Sequence, residues 1–261
     1  MRASETNLRN LLEGCKQFQI PIFQRPYAWE KPNWETLWTD LMSIYNNGEI
    51  EGSHFIGSIV TQAISGTADG ISPFIVIDGQ QRLVTLTILL ATLRHHLQKE
   101  KKSQDADELF ELYLINKFKQ DDDRYKVFPS QHDCQVYQSI INSKNKRNIT
   151  PKEGKIYDAY KFFEGKLKKP FEEERTIETA KIKSIILERL TLVNITSEEK
   201  DNVYLIFESL NNKGQELTQT DLIRNYIFMQ LELPVEEKKK YIKQNGCPLK
   251  SNLKRIKVKN T

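Results

Sequence analysis

Phe74-Ile-Val-Ile-Asp78-Gly79-Gln80-Gln81-Arg82-Leu-Val-Thr-Leu-Thr-Ile-Leu-Leu-Ala-Thr-Leu-Arg94-His-His-Leu-Gln98 is the stretch whose reading decides the fold. An apolar run (Pro73–Ile77) reads as a strand, a polar turn interrupts it, and a long apolar helix starts at once. Leu83, Leu86, Leu90, Leu93 and Leu97 lie at helical spacing and mark this helix as the buried centre of the domain. A strand–turn–helix junction aims free backbone N–H groups at whatever sits above the turn, which suits an anion. The turn adds a carboxylate, two amides and a guanidinium.

Two readings fit that turn. In the structural one, Asp78 is the helix N-cap and Gln81, at the third helical position, closes a capping box. In the functional one, Arg82 neutralises phosphate through a bidentate fork. A carboxylate beside a phosphate is repulsive unless a divalent cation bridges them. Asp78 is therefore a candidate ligand for Mg²⁺, and Gln80 and Gln81 can hold a water or a phosphate oxygen.

Outward from the turn, His54–Ile64 and Pro73–Ile77 read as an antiparallel hairpin across a loop containing Gly66 and Asp69-Gly70. Upstream, Ser4 starts a short helix to about Gly14, and alternation at Phe18, Ile20 and Ile22 marks a strand over 16–22. Pro32 opens a helix to about Asn46 carrying Trp34, Leu37, Trp38 and Leu41. Between them lies Gln24-Arg25-Pro26-Tyr27-Ala28-Trp29. Gln24 and Arg25 are candidate phosphate contacts. Tyr27 and Trp29 are either base-stacking groups or plugs of the core edge. Downstream, helices are expected at about 104–119, 131–142, 152–168 and 173–190, with a short strand at Leu192–Ile195. A helical pair over 199–210 and 219–231 brackets an Asn211-Asn-Lys-Gly214-Gln-Glu-Leu217 connection. There Gly214 suits a left-handed turn, Thr218 an N-cap, and Asp221 the third helical position.

The fold class is thus α+β. The expected division is a mixed α/β core over 1–100, a mainly helical region over 101–235, and a basic tail over 236–261. From Lys238 to Thr261 there are nine Lys/Arg and no acid, so the net charge of +4 leaves −5 for residues 1–237. Such a tail can release counterions from nucleic acid, or simply be a solvated terminus. The three cysteines, Cys15, Cys134 and Cys247, form neither a disulfide framework nor a metal knuckle, which fits a reducing cytosol. The longest apolar run, Leu83–Leu93, is too short to cross a bilayer. The first residues carry no apolar signal-peptide core. Walker A, GxSxG, HExxH and Cys/His zinc spacings are all missing from the sequence. His95-His96 reads as a plain helical pair.

Four segments in order, QRPYAW (24–29), HFIGSIV (54–60), FIVIDGQQRLVTLTIL (74–89) and FESLNNKGQELTQTDLIRNYIF (207–228), resemble the N-terminal domain of GmrSD-type, modification-dependent (type IV) restriction proteins. The resemblance spans about 5–235. It implies a ParB/sulfiredoxin-like nucleotide-binding fold and an NTP-hydrolysing module coupled to DNA cleavage in anti-phage defence. It places the nucleotide site at Asp78, Gly79, Gln80, Gln81 and Arg82. Gln24, Arg25, Tyr27 and Trp29 would lie near the nucleotide or modified-DNA pocket. Asn211 would join the nucleotide site, while Gly214, Leu217 and Asp221 pack back on the core. Members of the family often continue into an HNH-type nuclease. No such motif occurs here, so a nuclease domain or subunit is expected outside this sequence. The competing expectation is a non-catalytic DNA-binding or adaptor module of the same fold.

Overall fold

The computed structural model describes residues 1–21, 24–46, 53–64, 70–143, 149–168 and 177–197. Its centre is one mixed six-stranded sheet: β1 (Arg2–Asn7), β2 (Lys16–Gln19), β3 (His54–Ala63), β4 (Ser72–Asp78), β5 (Val127–Phe128) and β6 (Leu190–Ser197), in the order β1-β6-β3-β4-β2-β5. The β1/β6 and β3/β4 pairs are antiparallel. The β6/β3, β4/β2 and β2/β5 pairs are parallel. The α+β class and the β3–β4 hairpin follow the sequence pattern. Strands β5 and β6, from the region that reads as helical, join the same sheet.

Seven α-helices flank it among the described residues: α1 (Leu8–Leu12), α2 (Lys31–Asn46), α3 (Gln80–Lys99), α4 (Ser103–Glu108), α5 (Gln131–Asn142), α6 (Lys155–Lys168) and α7 (Thr179–Ser184). Helix α3 is buried almost all round, from Gln80 to His95 save Arg82. A helix apolar on every side belongs inside the protein. Its buried threonines avoid an unmet polar group by bonding back along the helix, as Thr85 Oγ1 does to the Gln81 carbonyl at 2.7 Å and Thr92 Oγ1 to Ile88 at 2.7 Å. Helices α2, α3 and α6 form one layer, through Trp34 against Phe162, Trp38 against Phe163 and His95 against Tyr160.

His95 is a core residue. Because the Ser143 carbonyl can only accept, Nε2 carries the proton at 2.6 Å, and Nδ1 receives the Tyr160 hydroxyl at 3.0 Å. Burial pushes its pKa down to about 4, so the ring is neutral near pH 7. No group of three potential metal-ligating side chains occurs among the described residues.

Several expected boundaries are corrected. Residues 2–7 are strand, not helix, because β6 supplies the partner: Thr6 faces Leu192 and Glu5 faces Val193. The first helix starts after Asn7, whose Oδ1 caps the Asn10 N–H at 2.9 Å. The helix expected over 104–119 ends at Leu114 after a π-turn, and Ile115 bridges Tyr125 instead. The short strand expected at 192–195 is the full β6, held between β1 and β3. The 199–210 and 219–231 helices lie outside the described residues.

Candidate nucleotide site

The polar turn sits where β4 passes into α3. The capping-box reading is corrected by Gly79, which takes the N-cap position itself at φ 84°, with no side-chain cap on the helix. A Cβ at Gly79 would fall 2.8 Å from the Ser58 carbonyl oxygen and 3.1 Å from Ile59 Cα, so both the left-handed backbone and the close approach to β3 demand glycine. The Asp78 side chain is thereby left out of capping. It is half-buried and joins no hydrogen bond or ion pair among the described residues; it acts on Arg82 through charge alone.

Gln81 turns away from Asp78 and latches the 24–29 loop. Its Oε1 accepts the Ala28 N–H at 2.7 Å and the Trp29 N–H at 3.3 Å, and Nε2 donates to the Pro26 carbonyl at 3.2 Å. Gln24 completes the latch from the other side, donating Nε2 to the Ile77 carbonyl at 2.8 Å. Two of the candidate binding amides thus hold the QRPYAW and DGQQR segments together. Gln80 is buried as well.

Tyr27 belongs to the core. Its hydroxyl lies 2.7 Å from Thr85 Oγ1 and accepts the Trp34 indole N–H at 2.8 Å. Burial raises its pKa, leaving a neutral phenol. The Tyr27 N–H is fixed by Asp133 Oδ2 at 2.7 Å, which also accepts the Ser130 hydroxyl at 2.8 Å. Burial raises the Asp133 pKa against those two hydrogen bonds. Trp29 packs, partly buried, on the same core, and Arg25 is half-exposed. Lys155 of α6 clamps the loop end through Glu30 at 2.5 Å. Asn211, Gly214, Leu217, Thr218 and Asp221 lie outside the described residues.

Arg82 is the group that faces β3. Its Nη1 donates to the Ser58 carbonyl, and its guanidinium lies flat over Gly57. A Cβ there would come within 2.7 Å of Nη2 and 2.8 Å of Cζ, and Gly57 has φ 107°. The pairing of β3 with β6 shifts register between Phe55 and Ser58, a bulge that turns Gly57 towards the helix layer. Burial lowers the Arg82 pKa and the nearby Asp78 charge offsets only part of that, and the guanidinium is held half-buried. The glycine inside HFIGSIV is the residue that sequence reasoning left without a role. A lone glycine in a strand pattern was the available signal, since it marks a bulge or a close approach. Together the turn offers a fixed cation, a carboxylate without a direct partner among the described residues, and a helix N-terminus with no side-chain cap.

Residues 8–228 match the family described as GmrSD restriction endonuclease, N-terminal domain. No curated protein matches the chain.

Proposed function

The chain belongs to the GmrSD restriction endonuclease N-terminal domain family, and from that premise we propose that the Asp78–Arg82 turn binds and hydrolyses a nucleoside triphosphate. In this reading the protein is the nucleotide-driven sensor of a modification-dependent DNA restriction system, on a ParB-like core. DNA is its partner, and cleavage falls to an HNH-type nuclease domain or subunit. The observation that carries the reading is Arg82, a charged guanidinium anchored on Ser58 beside the N-terminus of α3. Two cationic features at one turn favour a multiply charged anion.

The donor set fits Mg²⁺ in its nucleotide-bound form. That ion is held by one or two carboxylates plus substrate phosphates, not by an all-protein cage. Asp78 is the carboxylate that would hold it, and the ion would screen the developing phosphate charge. Arg82 binds phosphate oxygens with the N–H groups not committed to Ser58, and Gly79 keeps the backbone close enough for α3 to contribute. Gln24 and Gln81 hold the loop that carries Arg25.

The test is phosphate release from the four NTPs, with and without Mg²⁺ and DNA, joined to calorimetry on Arg82→Ala. Nucleotide affinity should fall below detection while the variant stays folded. Unchanged affinity would overturn the assignment. A second reading, a non-catalytic DNA-binding or adaptor module, is favoured by one observation: the Gln24 and Gln81 amides are consumed by the latch. It predicts steeply salt-dependent DNA binding and no phosphate release.

A further inference from the structure

On the helix side of the sheet, apolar packing stops beside the Asp78–Arg82 turn. Leu190, Leu192, Ile59 and Val76 all belong to the core. One step further along, the residues on that face are Asn194 and Thr196 of β6, Ser4 of β1 and Thr61 of β3. We infer that this polar shelf, centred on Asn194, holds the sugar of the nucleotide through a ribose hydroxyl, so that the site selects ribonucleotides over deoxyribonucleotides. The inference rests on the nucleotide reading above.

Three observations carry it. The first is face. Register partners on neighbouring strands look the same way, as do residues two apart on one strand. Asn194 is the partner of Ile59 and of Ser4, and Thr196 of Thr61 and of Arg2. Side-chain contacts agree: Asn194 Nδ2 donates to Thr196 Oγ1 at 3.4 Å, and Thr196 Oγ1 lies 3.5 Å from Thr61 Oγ1. Ile59 fixes the direction as inward, since it is fully buried in the core. Inward-facing strand positions ordinarily carry apolar residues, and sites are where that rule is broken.

The second observation is proximity. A Cβ at Gly79 would fall 3.1 Å from both Cα and Cγ1 of Ile59, and Arg82 donates to the Ser58 carbonyl. On β6, Val193 pairs with Ser58 and Asn194 with Ile59. Asn194 therefore stands one strand spacing, about 4.8 Å, from the residue on which the turn packs.

The third is an unmet polar atom. Asn194 is partly buried, and its Oδ1 is shut off from solvent without a hydrogen-bond partner. Such an atom costs stability until something meets it. A hydroxyl does so whichever way round the amide lies, donating to its oxygen or accepting from its nitrogen. The Thr196 and Ser4 hydroxyls have the same double capacity. Arg2 is exposed at the outer end of the shelf, opposite Thr196. The centre is thus uncharged, which suits a neutral sugar and leaves the phosphates to Arg82.

The experiment measures affinity of the full chain for the four NTPs, their 2′-deoxy and 3′-deoxy forms and inorganic triphosphate, for wild type and Asn194→Val. Under the inference, wild type binds NTPs about 10–100-fold tighter than one of the two deoxy series, which also shows which hydroxyl is held. Asn194→Val erases that gap by weakening the NTPs alone, and its affinity for inorganic triphosphate stays within about twofold of wild type. Valine suits a strand and leaves no unmet atom, so the melting temperature of the variant without nucleotide should equal or exceed that of wild type. NTPs bound no tighter than both deoxy forms by wild type overturn the shelf and leave the phosphate site standing. So does an Asn194→Val protein that keeps the gap, or one that melts well below wild type, since the amide then serves the fold. A wild type that binds no nucleotide overturns the shelf together with the nucleotide reading.

Discussion

Replacing Gly57 by alanine separates what the site needs from what the fold needs. Gly57 lies at φ 107°, where any side chain is strained, at a cost of about 1–3 kcal/mol. The new Cβ would also stand 2.7 Å from Arg82 Nη2 and 2.8 Å from Cζ. Those atoms are the far end of a flexible side chain, so the guanidinium moves and the strand does not. Moving it breaks the Arg82–Ser58 hydrogen bond, a charged one worth about 1.5–3 kcal/mol, part of which water returns because Arg82 is only half-buried. Gly57→Ala should therefore destabilise by about 2–5 kcal/mol in urea unfolding, and nucleotide affinity should drop with it. The double variant isolates the second part. With Arg82→Ala already present, Gly57→Ala should cost only its strain, so the two changes fail to add by about 1–3 kcal/mol. Additivity within about 0.5 kcal/mol, or calorimetric affinity for NTP untouched by Gly57→Ala, would refute the picture of a guanidinium seated on a glycine.

Two further outcomes are expected. Gln81→Leu removes the acceptor of two loop N–H groups and should cost about 1–3 kcal/mol; hydrogen exchange should speed up at Ala28 and Trp29 while the amides of α3 beyond its first turn keep their protection, and unchanged rates at 28–29 would sink the latch. Burial by itself raises the Glu164 pKa, but hydrogen bonds from Lys168, Lys161 and Lys99 outweigh it and hold the carboxyl at about 2. A depressed folded-state pKa adds stability above the unfolded value and loses it as pH falls through the folded one. The melting-temperature gap between wild type and Glu164→Gln should thus be full at pH 7 and shrink between about pH 5 and 2, and a gap independent of pH would contradict it.

What the sequence makes legible here is what local periodicity controls. Helices α2, α3 and α5 and the β3–β4 hairpin carry their patterns within one contiguous window. Strand β1 does not, because Ser4 reads as a cap until β6, nearly 190 residues later, pairs with it. The two residues of β5 are strand only because β2 lies beside them. The site divides in the same way. Asp78 and Arg82 stand out in a turn by their charge. The fate of Gln81 depends on where the 26–29 backbone lies, and the need for glycine at 57 depends on Arg82 lying over it. Both are tertiary facts with no local signature. Gly79 was visible as a turn residue, but the i to i+3 spacing of Asp78 and Gln81 imitated a capping box that the left-handed glycine forestalls.

The placement of β1 also sets an order in time. Strand β1 is an edge strand whose sole partner among the described residues, β6, is made nearly 190 residues after it. The hairpin and α3 can assemble while that edge waits. Closing a loop of this length is costly in chain entropy, though each further doubling adds only about 0.6 kcal/mol. Pairing so remote in sequence raises the contact order and slows folding. The bulged strand that seats Arg82 is also the one β6 lies against. On this topology β6 joins the bulged strand beneath Arg82 after the helix that supplies that arginine has been made.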